Sequence, residues 1–318
     1  MELAELCSAS RVIIVAGKGG VGKTTVAAAL ATAAARAGRS ALLVELEGKS
    51  GLAATFGRPA LEDHEYSPFP GVRVLPIAPD EALLEYLEDH GLGRISRRLV
   101  STGAIDVVST AVPGMKDILV LGKVKALQRE GVADVIVVDG PAAGHAVTFL
   151  LSPKGLLDAV RVGPVLTQAM EVTEMLTDPD RARVMLVTLP EETPVNETVE
   201  TAAVLIDSAG LSLAPLVVNG LYPARALATE PGAIRAAAAA AGVAIPESEV
   251  DHLALAAEFH SRRRALQTAQ LERLAESLDL PQVHLPFLFT AELGPPQLEV
   301  LAGALTDGLG AVATTPSP

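Results

Sequence analysis

Cysteine and tryptophan are all but missing from this chain: its 318 residues include one cysteine, Cys7, and no tryptophan. A single thiol excludes a disulfide within the chain and any metal site built from several of its own cysteines, a zinc clamp included. Aromatic residues are only 3% of the sequence, so alanine, valine and leucine must do the packing. Bases are scarce as well. With 25 Lys and Arg against 38 Asp and Glu, a formal charge of -13, the balance argues against nucleic acid or anionic lipid as the main partner. The triplet Arg262-Arg263-Arg264 is a candidate basic patch, although a solvated helix face is the plainer reading. No apolar run approaches the roughly 18 residues needed to span a bilayer, and no basic and apolar signal segment precedes the first apolar run. The expected compartment is the cytoplasm, with any membrane role peripheral and through a partner.

What the chain does have is a glycine loop with a complete phosphate-binding pattern, Gly17-Lys18-Gly19-Gly20-Val21-Gly22-Lys23-Thr24, followed by Thr25. Glycines let successive backbone amides curl inward around an anion. Lys23 is placed to reach terminal phosphates and the Thr24 hydroxyl to ligand Mg2+. The flanks suit the pattern. Arg11 to Ala16 is a β-branched apolar run that predicts a buried parallel strand, and Thr25 to Arg36 is alanine-rich and predicts a helix that Gly38 can end. Together these residues predict a site for a nucleoside triphosphate with Mg2+, with ATP the expected nucleotide.

Further apolar runs alternate with helical stretches in the rhythm of an α/β fold, a doubly wound and mostly parallel sheet covered on both faces. Predicted strands are Ala41 to Leu46, Val72 to Ile77, Asp134 to Val138, Val184 to Leu189, Pro215 to Val218 and Val283 to Leu285. With 49% hydrophobic residues, the chain reads as one large domain over residues 1–310. It has helical portions around 80–130 and 150–177, and a frayed tail over 311–318.

Ligands of such sheets sit beyond the carboxyl ends of the strands. Asp139 closes an apolar strand there and is the expected second Mg2+ contact, since the ion keeps several hard oxygen ligands. Gly140 and Gly144 would let the following loop bring backbone amides to the γ-phosphate and rearrange when it leaves. His145 lies beside this loop as a candidate relay residue; a structural role is the plainer reading.

Lys18 inside the glycine run resembles the deviant phosphate loop of a superfamily that includes arsenical-pump, septum-positioning and plasmid-partition ATPases and the nitrogenase iron protein. Asp139 to His145, followed by Thr148-Phe149-Leu150, resembles the second switch segment of one branch, the arsenical-pump-driving and tail-anchored-protein-targeting ATPases. Pro113-Gly114-Met115, Asp178-Pro179, Pro190-Glu191 and Glu197-Thr198 agree, and the correspondence runs from about Arg11 to Glu292. The resemblance implies a nucleotide-sandwich dimer in which Lys18 reaches across to the partner's nucleotide. It also implies that Glu47, standing where related ATPases carry aspartate, orients the attacking water. Asn219 would contact adenine, and Pro286-Phe287-Leu288 would cover the base. The partner would be a second copy or a paralogous ATPase, and the dimer would serve a client protein or membrane component.

Departures from the branch narrow this. Its arsenite-stimulated members use several cysteines, and its targeting members carry a paired-cysteine zinc clamp whose counterpart here, Glu258 to Arg262, has none. The interval from Leu151 to Thr177 is much shorter than the apolar insertion of the targeting members. Its stripe of Leu156, Leu157, Val160, Val165, Leu166, Met170, Met175 and Leu176 reads as core or dimer packing, with an exposed client surface as the alternative. An ATP-hydrolysing dimeric switch is the expected function. A nucleotide-holding scaffold with little turnover and a small-molecule synthetase remain as alternatives.

Overall fold

Six consecutive buried residues, with no polar alternation, form strand β1 (Val12–Gly17), as a strand covered on both faces requires. The computed structural model describes residues 12–46, 51–59, 64–89, 91, 93 and 114–314, together with Leu3 and Leu6. After β1 come α1 (Lys23–Arg36), β2 (Ala41–Leu46), α2 (Gly51–Thr55), β3 (Tyr66–Phe69), β4 (Val72–Ile77), α3 (Pro79–Asp89) and α4 (Met115–Glu130). The chain continues through β5 (Val135–Ala142), α5 (Ala143–Ala159), α6 (Pro164–Thr177), β6 (Ala182–Thr188) and α7 (Glu192–Ala203). It closes with β7 (Leu216–Leu221), α8 (Pro231–Ala240), α9 (Glu247–Ser277), β8 (Gln282–Pro286) and α10 (Pro295–Thr314).

The eight strands lie in the order β3-β4-β2-β5-β1-β6-β7-β8, and every pairing is parallel except β3 with β4. This is the expected doubly wound α/β sheet. Winding reverses around β1, which is flanked by β5 and β6, so the crevice at its carboxyl end is where a ligand belongs. Alternate residues of each strand feed two cores. Val12, Ile14 and Val138 pack with α4, α5 and α6, whereas Ile13, Val15 and Val137 pack beneath α1 and α10.

Three features differ from the sequence reading. The short edge strand β3 was not expected, because Tyr66-Ser67-Pro68-Phe69 contains a proline; on an edge that proline is tolerated. The tail expected to fray from Ala311 is helical through Thr314, as the end of α10. The glycine loop expected after Asp139 is a strand–helix junction, since β5 runs to Ala142 and α5 starts at Ala143.

In the stripe between residues 151 and 177, Leu156, Met175 and Leu176 are buried in the core, while Met170 is exposed. Packing thus accounts for these three. Among the described residues no helix is long and apolar enough to cross a membrane.

Candidate nucleotide site

The phosphate loop leaves β1 through two glycines that the backbone demands. A Cβ on Gly17 would sit 2.2 Å from the Val187 carbonyl oxygen of β6. Gly22 has a left-handed φ of +92°, and a Cβ there would lie 2.4 Å from Asn219 Nδ2. Gly22 caps α1 without a side-chain hydrogen bond, and Gly19 and Gly20 are exposed at the crest. The first-turn amides of α1 thus lie at the positive end of its dipole, beside the exposed crest of the loop. Lys23 begins α1 and is only 8% exposed. Its Nζ donates to the Lys18 carbonyl at 3.0 Å, which holds the ammonium across the arch of the loop.

One turn into the site, Thr24 Oγ1 donates to Asp139 Oδ2 at 2.7 Å, joining residues 115 positions apart. Asp139 is fully buried near the end of β5. Relative to β1, β5 carries one extra residue between Asp139 and Ala142, a bulge of the kind that redirects a strand beside a site. A hydroxyl and a carboxylate in contact at the mouth of an anion cradle are the hard oxygen donors that Mg2+ selects. Thr24 and Asp139 therefore fit the ion. Thr25 follows in the first turn of α1, half-buried.

The sequence reading passed over Glu45. It is buried in β2, in register with Asp139 across the β2–β5 pair, so the two carboxylates emerge on the same side of the sheet. Its signal was available: an acid near the end of an otherwise apolar strand. Burial first, and then the nearby Glu45 charge, push the Tyr66 hydroxyl pKa up to about 12. Glu47, the residue expected to orient water, lies outside the described residues.

Lys18 makes an ion pair within its own chain, its Nζ 2.5 Å from Glu197 Oε1 of α7, and both side chains are about one-third exposed. The same helix is fixed at its start by an ion pair between Glu191 and Arg263 of α9. Gly144 stands in the first turn of α5, followed by the exposed His145. Burial raises the pKa of Asp117 in the first turn of α4, and the His145 charge opposes that rise, so the two groups are neighbours across α4 and α5.

On the far side of the loop, Asn219 Nδ2 donates to the Val21 carbonyl at 2.9 Å. Asn219 therefore props the phosphate loop itself. Pro286 ends β8, and the Phe287 amide donates to the Leu221 carbonyl at 2.8 Å, which brings both residues expected at the base alongside the Asn219 strand. Two residues escaped the sequence reading here. Tyr222 packs against Phe287 and Phe289, with ring centroids 4.8 and 5.4 Å away. Gln267 of α9 is buried, accepts from the Tyr222 amide at 2.9 Å and donates to the Gly220 carbonyl at 3.0 Å. A glutamine amid a polar helix face carries no sequence signal for that role.

The chain is similar in sequence to known ATPases. Residues 10–162 match the family model described as anion-transporting ATPase. The ATPase BagA of Mycobacterium tuberculosis is 34% identical over 301 residues, which cover 88% of each chain. The arsenical pump-driving ATPase of Acidiphilium multivorum is 32% identical over 212 residues, covering 65% of this chain and 34% of its own. The ATPase get3 of Schizosaccharomyces japonicus is 27% identical over 165 residues, covering 49% of this chain and 50% of its own.

Proposed function

Since the chain belongs to the anion-transporting ATPase family and is accordingly an ATPase, we propose that it acts as a Mg2+-dependent dimeric switch that couples its nucleotide state to a client or partner. The observation that carries this reading is the Thr24–Asp139 pair beside the phosphate loop, because it puts hard oxygen ligands where the charge of a bound triphosphate would lie. The loop amides and Lys23 would bind and orient the phosphates, with Lys23 exchanging the Lys18 carbonyl for phosphate oxygens. Thr24 and Asp139 would hold Mg2+. The ion, when bound, would neutralise phosphate charge. Glu47 would orient the attacking water, Gly144 would border the γ-phosphate, and Asn219, Pro286 and Phe287 would border the base.

Lys18 supplies the switch in this reading. Within one subunit it is occupied by Glu197, in a partly exposed pair worth no more than about 1 kcal/mol. That is little to give up when a partner's nucleotide offers phosphate oxygens. The dimer would therefore form with nucleotide bound and relax after phosphate leaves. The partner is a second copy or a paralogous ATPase.

The test is steady-state phosphate release with Mg-ATP from the purified protein, beside Lys18→Ala and Lys23→Ala, with assembly followed by light scattering. Turnover lost in both variants, with ATP-promoted dimers in the parent, is the expected result. Unchanged turnover in Lys23→Ala would overturn the assignment. Tight ATP binding with a flat phosphate trace would favour a nucleotide-holding scaffold.

A further inference from the structure

The arginine triplet does not form one solvated face. Consecutive helix positions diverge by about 100°, and the three side chains go to three different places. Arg262 pairs with Glu258 one turn back on the exposed side of α9. Arg263 pairs with Glu191 at the start of α7. Arg264 turns into an open cleft of about 550 Å³ between α9 and the segment that follows β7.

That cleft has an unusual lining for a chain with a formal charge of -13. It contains Arg225, Arg264, His260, Ser261, Thr268 and three alanines, and no acid. Neither Arg225 nor Arg264 forms an ion pair with any described residue, and Arg225 rests over the Phe289 ring, 5.9 Å from its centroid. His260 Nε2 is buried without a hydrogen-bond partner among the described residues. Thr268 gives its proton to the Arg264 carbonyl at 3.0 Å, which leaves the two guanidinium groups and the Ser261 hydroxyl as donors. Outside the lining, partial desolvation and then the Arg264 charge lower the pKa of His284 on β8, so Arg264 lies within electrostatic reach of that strand. The alanines keep the cleft roomy, and its size exceeds what a lone inorganic ion needs.

We propose that this cleft is a second ligand site, distinct from the phosphate loop, which takes a small organic oxyanion between Arg225 and Arg264. Guanidinium forks match the two oxygens of a carboxylate or a phosphate ester. Its position gives the site a neighbour. His260 packs on Tyr222 with centroids 5.4 Å apart, and Tyr222 in turn packs on Phe287, so the ligand would lie two rings from the residue expected to cover the base.

The experiment titrates glycerol 3-phosphate and, separately, succinate into the full chain by calorimetry, once with Mg-ADP saturating the phosphate loop and once in Lys23→Ala. The second arm keeps the outcome independent of the nucleotide reading. One equivalent should bind in both arms, and the Arg225→Gln, Arg264→Gln double variant should bind at least tenfold more weakly. Arg262→Gln on the exposed face should bind as the parent does. A preference for glycerol 3-phosphate would mark a phosphate-ester site, and a preference for succinate a carboxylate site. The proposal is overturned if neither probe binds, if the double variant binds normally, or if Arg262→Gln weakens binding as much. Should the double variant melt early, the imidazole resonances of His260 in the parent decide instead. They should move on adding the bound probe, and a stationary signal refutes the assignment.

Discussion

Helices α1 and α9 border the same site under opposite constraints. Ten of the 14 residues of α1 are buried, whereas α9 buries only four of 31. The first is wedged between the sheet and α10, so alanine after alanine is needed for helix and strand backbones to approach. The second is a long strut whose Leu255, Phe259 and Leu266 remain exposed, and it acts on the site through single contacts, Gln267 and Arg263. The phosphate loop is thus set by packing and the proposed base end by a few hydrogen bonds. Substitutions should tell the two apart.

The largest effect belongs to α1. Thr24→Val keeps the volume but removes the hydroxyl that meets the buried Asp139; phosphate release should fall by about 100-fold or more, and stability by about 1–3 kcal/mol. An undiminished rate would mean that Thr24 is only a helix residue. Next, Gly22→Ala at the cap of α1 combines a left-handed backbone with a contact on Asn219, and should cost about 1–3 kcal/mol in denaturant unfolding. The paired change Gly22→Ala with Asn219→Ala should recover part of that loss, because it removes the clashing side chain.

On α9 the expected effects shrink. Gln267→Leu leaves the Tyr222 amide and Gly220 carbonyl without their side-chain partner, at about 1–3 kcal/mol, and should weaken nucleotide binding while sparing Thr24 and Asp139. Smallest of all, Leu266→Ser on the exposed face should change stability by no more than about 0.5 kcal/mol. A larger loss for Leu266→Ser would show that the strut is covered by something in solution.

The difference between the two helices also explains what could be read from the sequence. The phosphate loop is contiguous, and its strand and helix flanks declare themselves within 25 residues, so β1 and α1 were legible almost to the residue. Strands β2 and β4 were equally plain, because both are short runs rich in valine and leucine, interrupted only by Glu45 in the first and by Arg73 and Pro76 in the second. The Lys18–Glu197 pair joins residues 179 apart, and which acid meets the lysine depends on where α7 lands. Glu45 was visible as a letter and missed as chemistry, since only the register of β2 on β5 sets it beside Asp139. The arginine triplet was read as one face because sequence adjacency suggests a patch, while helix geometry sends its members to an exposed side, a neighbouring helix and a cleft.

The aromatic cluster around Tyr222 has an optical consequence. The chain has three tyrosines, six phenylalanines and no tryptophan, so its native fluorescence comes from tyrosine alone. An indole introduced as Phe287→Trp would be the only one in the molecule. Lying against Tyr222 and Phe289, it would report nucleotide arrival at the proposed base end by emission and quenching, without background from the rest of the fold.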